Sequence, residues 1–331
     1  MTYDDLIQAG TAALERVGAT RHLNTASETG SQARLNRAYI DSLTFETRLI
    51  GTDPASTEVE LFGVRLSMPV IASSLSQSLV LDHLAPWDQP YLEQIAGGLA
   101  DAGTAMTTGM VTEEELARIV EMGAPVIHIV KPYQDEDRIV RELAGAERLG
   151  CIAVGMDVEA VYQLHAPGER SGKEYLEHKT SSQLKHYINA TRLPFVIKGV
   201  LSPVDAEFAT RYGARGVMVS QHGGESIDYA VPVLKVLPEV RTAVGGAATV
   251  LVDTGFKRGT DVVKALALGA DAVGVATLLL IACAAKGRAG VREMMELLRE
   301  EIARNLSLMG CASPKQTIHA RLHQLSPASS A

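Results

Sequence analysis

The chain has 331 residues, 46% of them hydrophobic and 21% charged, with a formal net charge of −8. That composition supports a large buried core and argues against disorder, while the acidic balance excludes a general binder of nucleic acid or anionic membrane, which needs a basic surface. Three scattered cysteines, Cys151, Cys283 and Cys311, form neither a disulfide framework nor a Cys/His grouping, so reduced thiols, a cytoplasmic setting and no bound metal are expected.

Taken in chain order, the start MTYDDLIQAG lacks the basic and apolar regions of a secretory signal. Residues 1–66 hold a helix, a polar stretch TASETGSQARLN and a short β segment, VELFGVRL, which together predict a cap on the bottom or rim of the main domain. Eight Val- and Ile-rich runs then recur: PVIAS (69–73), TAMTT (104–108), PVIHIV (125–130), CIAVGMD (151–157), PFVIKG (194–199), GVMVSQ (216–221), TVLVDT (249–254) and AVGVAT (272–277). They are continuous, not alternating in polarity, which is the pattern of strands buried on both faces. Helix-period segments such as EEELARIVEMG, VDAEFATRYG and GTDVVKALALG separate them. The alternation predicts an α/β fold, a (β/α)8 TIM barrel over residues 67–312 with right-handed crossovers. Gly123, Gly150, Gly213 and Gly269 each close a helical stretch, as a residue just past a helix end should.

Three further segments stand out. The segment between Asp157 and a helix starting near Ser181 is long, charged and broken by Pro167 and Gly168, the mark of a lid or binding loop. The run ALALGADAVGVATLLLIACAA is interrupted by its glycines and Asp271 and flanked by Lys264 and Lys286, so it divides into helix, strand and helix instead of spanning a membrane. Residues 313–331, ending in SPASSA, read as a mobile tail.

In such a barrel the C-terminal strand ends face the active-site mouth. Those positions carry Ser73, Ser74, Thr107, Thr108, Lys131, Tyr133, Asp157, Lys198, His222, Asp253 and Thr277. A lone strand-end histidine is more often structural, but several ionisable groups at one mouth are costly to bury without a use. Glycine-bearing turns after the seventh and eighth strands, VDTGFKRG and VGVAT, with Lys257 and Arg258, occupy the usual phosphate position of these barrels.

The segments VIKGV, VSQHGG, DTGFKRGTDVVKALALGADAV and LMGCASP resemble the FMN-dependent α-hydroxy-acid oxidases and dehydrogenases, over a span from Leu35 to Cys311. The resemblance implies FMN, with His222 as the base that takes the hydroxyl proton while hydride passes from the substrate carbon to flavin N5. It implies that Asp157 orients His222 and stabilises its charged form, that Lys198 lies beside flavin N1 and O2, and that Tyr133 hydrogen-bonds the substrate oxygen. Asp253, Gly255 and Lys257 match the FMN phosphate turn, with Thr277 a further donor; Ala72, Ser73 and Ser74 match the segment along the flavin. Ser220 falls near the ring, and Thr107 and Gly223 complete the expected cofactor-binding set.

The departures from that pattern concern the substrate. The family follows its HGG with an arginine that clamps the substrate carboxylate, where this chain has Glu225. Near a second such arginine the chain reads AVYQLH, with Leu164 and His165. Lys131 replaces a glutamine near the flavin pyrimidine, Gly155 a threonine, and Ala276-Thr277 a Gly-Arg pair of the phosphate site, while His22 falls near an N-terminal tyrosine. Each charge-assisted hydrogen bond is worth about 1.5–3 kcal/mol, so a small α-hydroxy acid should bind poorly. The expected activity is removal of hydride from a C–OH or C–NH carbon of a different substrate, touched by Tyr133, His222 and Glu225. Lid residues Arg170 or Lys173 are candidates for a replacement anion site, and Lys257 or Arg258 for partners of Glu225. Two alternatives stand beside this: an FMN enzyme without net redox, like the type 2 isopentenyl-diphosphate isomerases, and a non-catalytic FMN-binding scaffold. The resemblance leaves the electron acceptor open among oxygen, a quinone and a protein, and implies a homo-oligomer.

Overall fold

The protein is described by a computed structural model covering residues 2–23, 26–76, 78–82, 89–162, 176–319 and 322–325. The chain opens with helices α1 (Tyr3–Arg16) and α2 (Ser31–Ser42), a short strand β1 (Leu43–Phe45), and a hairpin of β2 (Val59–Leu61) and β3 (Val64–Leu66). The eight apolar runs become β4 (Val70–Leu75), β5 (Met106–Gly109), β6 (Val126–Val130), β7 (Ala153–Asp157), β8 (Phe195–Val200), β9 (Gly216–Val219), β10 (Thr249–Val252) and β11 (Ala272–Val275). Each pairs in parallel with its successor and β11 returns to β4, so the sheet closes into a barrel. Every residue of β6 and β7 is buried, because one face meets the barrel interior and the other the surrounding helices. Full burial of a Val, Leu or Ile contributes about 1.5–3 kcal/mol, which is why these runs are apolar throughout.

The helices are α3 (Leu79–Asp82), α4 (Tyr91–Ala102), α5 (Glu113–Glu121), α6 (Glu136–Arg148), α7 (Ser181–Asn189), α8 (Pro203–Arg211), α9 (Val233–Val244), α10 (Gly259–Ala267) and α11 (Thr277–Leu308). Thr112 with Glu115 and Thr180 with Gln183 form capping boxes at the starts of α5 and α7, each cap worth about 1 kcal/mol. Gly123, Gly150, Gly213 and Gly269 end their helices with φ of 92°, 83°, 100° and 108°, the left-handed conformation their positions predict. The long apolar run divides among α10, β11 and α11, and none of the described helices is long and apolar enough to cross a membrane.

The N-terminal segment reaches both ends of the barrel. Leu61 and Leu66 of the hairpin join one buried cluster with Ile71, Ile127, Ala153, Val196 and Ala272, which stand early in their strands, so the hairpin plugs the end where strands begin. Helix α1 lies along α11, and at Gly10 the two approach so closely that a side chain would meet the Ile281 carbonyl. Helix α2 sits at the opposite rim. The tail differs from expectation: residues Leu322–Gln324 form β12, paired antiparallel with β1, Leu43 opposite Gln324 and Phe45 opposite Leu322. A strand partner nearly the whole chain away leaves no local signal in a polar tail; residues 326–331 lie outside the described set.

Candidate active site at the C-terminal rim of the barrel

Asp157 ends β7 with no exposed surface and lies in register with Lys198 of β8; Lys131 follows β6. His222 opens a short helical turn after β9 with φ of 48°, a left-handed conformation that costs a non-glycine residue about 1–2 kcal/mol. The turn brings the imidazole over the strand-end charges. Asp157 Oδ2 accepts from Lys131 Nζ at 2.7 Å and lies 3.4 Å from Lys198 Nζ and 3.2 Å from His222 Nδ1. Lys198 Nζ is itself 3.0 Å from His222 Nδ1. With Nδ1–H donating to Asp157, Nε2 keeps a free lone pair, the arrangement a general base needs.

Crowding of these groups sets their electrostatics. Burial opposes ionisation of Asp157, but Lys131, Lys198 and His222 together hold its carboxyl well below the usual carboxylate range. Burial and Lys198 oppose a charged His222, yet Asp157 outweighs them and holds the imidazole above its ordinary value. Burial likewise opposes a charged Lys198, and Asp157 and Glu159 overcome it, keeping the ammonium above its usual range.

Glu159 was not among the residues expected here. Its Oε1 lies 3.3 Å from Lys198 Nζ and 3.7 Å from His222 Nδ1. Asp157, Glu159 and His222 are close enough to share a metal ion, but the Lys198 ammonium stands within 3.4 Å of all three and serves as their cation. Glu225 also faces the centre: its Oε2 lies 3.9 Å from His222 Nε2. Arg258 is engaged elsewhere, 3.8 Å from Asp4, 3.5 Å from Glu301 and over the Tyr3 ring, and Lys257 is exposed, its backbone N–H donating to Asp261.

Tyr133, two residues beyond Lys131, is buried, and the Arg138 guanidinium covers its ring at 3.6 Å. Burial pushes its phenol up to about 12, so it acts as a hydrogen-bond donor at neutral pH. Leu164, His165, Arg170 and Lys173 lie outside the described residues.

Whether this rim suits a flavin is tested by its unsatisfied polar atoms. Ser74 Oγ, Thr107 Oγ1 and Asp157 Oδ1, on β4, β5 and β7, are buried without hydrogen-bond partners, which a polar ligand would supply. Ala72 is buried beside them, and Ser73 Oγ donates to Asp253 Oδ2 at 2.5 Å. Gly255 is exposed with φ of 88°, and α11 starts at exposed Thr277 without a side-chain cap; the Leu279 and Leu280 N–H groups donate to the Ala276 carbonyl, which leaves those of Thr277 and Leu278 for a phosphate. Ser220 Oγ accepts from the His222 backbone at 3.2 Å, and Gly223 continues the turn with φ of 68°. The residues present fit FMN.

What holds the His222 loop was also not anticipated. The Gln221 side-chain oxygen accepts from Gln32 Nε2 at 2.9 Å and from Asn36 Nδ2, while its Nε2 donates to the Val231 carbonyl at 2.5 Å. Asp228 accepts from the backbone N–H of Thr29 at 2.9 Å and of Gln32 at 2.8 Å. Thus α2 and the turn before it clip both ends of the loop. The signal that pointed to Glu159 is a second carboxylate just past the strand end at Asp157; the α2 contacts have no such sequence signal.

A profile described as FMN-dependent dehydrogenase matches residues 13–170 and 163–324. Glycolate oxidase 1 of Oryza sativa subsp. indica is 31% identical, over 87% of this chain and 86% of its own length. L-lactate oxidase of Nostoc sp. is 29% identical, over 87% and 88%. The fold of a mandelate oxidase arginine-to-leucine variant, solved with 2-hydroxy-phenylacetamide, superposes with a TM-score of 0.87 at 29% identity, over 98% of this chain and 99% of the other.

Proposed function

The chain belongs to the FMN-dependent dehydrogenase family, and from that premise we propose that this FMN-dependent oxidoreductase acts on a C–OH or C–NH carbon of a substrate that is not a simple α-hydroxy acid. When bound, FMN supplies the hydride acceptor. His222 takes the proton from the substrate hydroxyl or amine at Nε2, and Asp157 holds the ring by Nδ1 and stabilises the imidazolium that results. Lys198 supplies a fixed positive charge beside the reacting centre, and Tyr133 donates to the substrate oxygen. The base must be neutral to act. Since His222 is held above its ordinary value, the rate should rise with pH through a pKa above about 6.5.

The observation that carries the substrate reading is the Glu225 carboxylate 3.9 Å from His222 Nε2. A substrate carboxylate placed there would meet a like charge. A neutral group would avoid that repulsion, and an amine would turn it into attraction. The solved variant with 2-hydroxy-phenylacetamide supports the direction, since its ligand carries an amide where an acid would carry a charge.

The test is anaerobic bleaching of the yellow protein. Hydroxy amides or amino alcohols should bleach the flavin faster than glycolate, lactate and mandelate, and His222→Ala should abolish bleaching. Efficient bleaching by all three acids would refute the substrate reading; a colourless protein that takes up no FMN would refute the whole proposal.

A further inference from the structure

Glu159 stands where the catalytic cluster meets a second space. On one side its carboxylate lies against Lys198 and His222. On the other it lines a cavity of about 410 Å³ shared with Tyr162, His178, Lys179, Asp205 and Tyr212, between α7 and α8. The backbone is shaped to admit it. The β8–β9 register breaks between Lys198 and Val200, and Gly199 there has φ of 97°. A Cβ at Gly199 would come within 2.8 Å of the Glu159 Cγ. Glycine is thus required both for the backbone conformation and for the approach of this acid.

The charges explain what the acid does. Facing His222 are Asp157 and Glu159 near Nδ1, Glu225 near Nε2, and the ammonium groups of Lys198 and Lys131. With His222 protonated, three cations meet three carboxylates; without Glu159 the protonated state carries a surplus positive charge in a buried site. We infer that Glu159 is a positioning residue that acts through its two neighbours, biasing His222 toward its protonated form and offsetting the positive charge that Lys198 directs at the flavin. This deepens the functional reading above and rests on it for the flavin half. Since a cation near the ring favours the anionic reduced flavin, Glu159 sets the flavin potential lower than Lys198 alone would.

The test compares Glu159→Gln and Glu159→Asp with the unaltered full-length protein. His222 is titrated by imidazole NMR in flavin-free protein, and the flavin midpoint potential is measured in FMN-loaded protein with reference dyes. Glu159→Gln should lower the His222 pKa, move the alkaline rise of the rate to lower pH and shift the potential in the positive direction. Glu159→Asp should recover part of each. A folded Glu159→Gln protein with His222 titration and potential both unmoved would overturn the inference. Unaltered protein that takes up no FMN would overturn the functional reading instead, while the flavin-free titration still decides the role of Glu159 toward His222.

Discussion

Neutralising Asp157 without changing its shape, as Asp157→Asn, should destabilise the protein in a pH-dependent way. The carboxylate has no exposed surface and lies 2.7 Å from Lys131 Nζ and 3.4 Å from Lys198 Nζ. At an effective dielectric of about 20 those separations correspond to roughly 6 and 5 kcal/mol of attraction. Desolvation of all three groups offsets most of this, and removing one member of a buried ion pair typically costs about 3–5 kcal/mol, because the stranded charge remains buried. In the variant the Lys198 ammonium, buried without its principal carboxylate, releases its proton more readily when folded than when unfolded. Between those two pKa values the unfolded chain binds more protons, so the variant's stability rises with pH. In the unaltered protein the contribution of Asp157 is complete above the ordinary carboxylate range and is lost as pH falls through its depressed folded value. The Lys198 contribution is present below the ordinary lysine range and is lost as pH rises through its elevated folded value. Up to the ordinary lysine value the variant's gain alone narrows the gap, since the parent's loss begins only above it. Urea unfolding at neutral pH and at about pH 10, close to the free lysine value, reads it directly. An Asn variant as stable as the parent at neutral pH, or a gap that widens with pH, would refute the electrostatic account.

Two more variants probe named contacts. Glu225→Arg puts a guanidinium beside His222 Nε2 in place of a carboxylate. It should lower KM for lactate or mandelate by about ten- to a hundredfold, the equivalent of one charge-assisted contact; an unchanged KM in steady-state kinetics would show that Glu225 does not face the substrate. Gly199→Ala adds a Cβ at 2.8 Å from Glu159 Cγ in a backbone with φ of 97°. It should cost about 1–3 kcal/mol and move the pH profile in the same direction as Glu159→Gln; a variant of parental stability on urea unfolding would contradict the crowding at that position.

The barrel was legible because its strands are buried on both faces and its helices carry local stop signals. Val126–Val130 and Gly269 announce their roles without reference to anything distant. The strand-end residues were legible for the same reason, since a polar side chain closing an apolar run has few other places to go. Partners were harder. Lys131 was expected at the rim, where the family has a glutamine near the flavin pyrimidine, and its amine also reaches Asp157; a sequence shows that a lysine stands at the rim but not which carboxylate its long side chain reaches. Gln221 is separated from Gln32 and Asn36 by 185 residues or more, and no periodicity links them. The β1–β12 pair escaped for the same reason.

The clip between α2 and the His222 loop bears on how specificity in this protein can change. Gln221 anchors the loop before its histidine and Asp228 anchors it after, both through partners in the N-terminal segment. Between these two anchors lies Glu225, its carboxylate turned toward His222 Nε2. Gln221 and Asp228 thus frame the turn that carries the base and the acid beside it. A substitution at Glu225 should therefore alter what the site admits while the base keeps its place, whereas a graft that includes Gln221 or Asp228 should need its own matching α2.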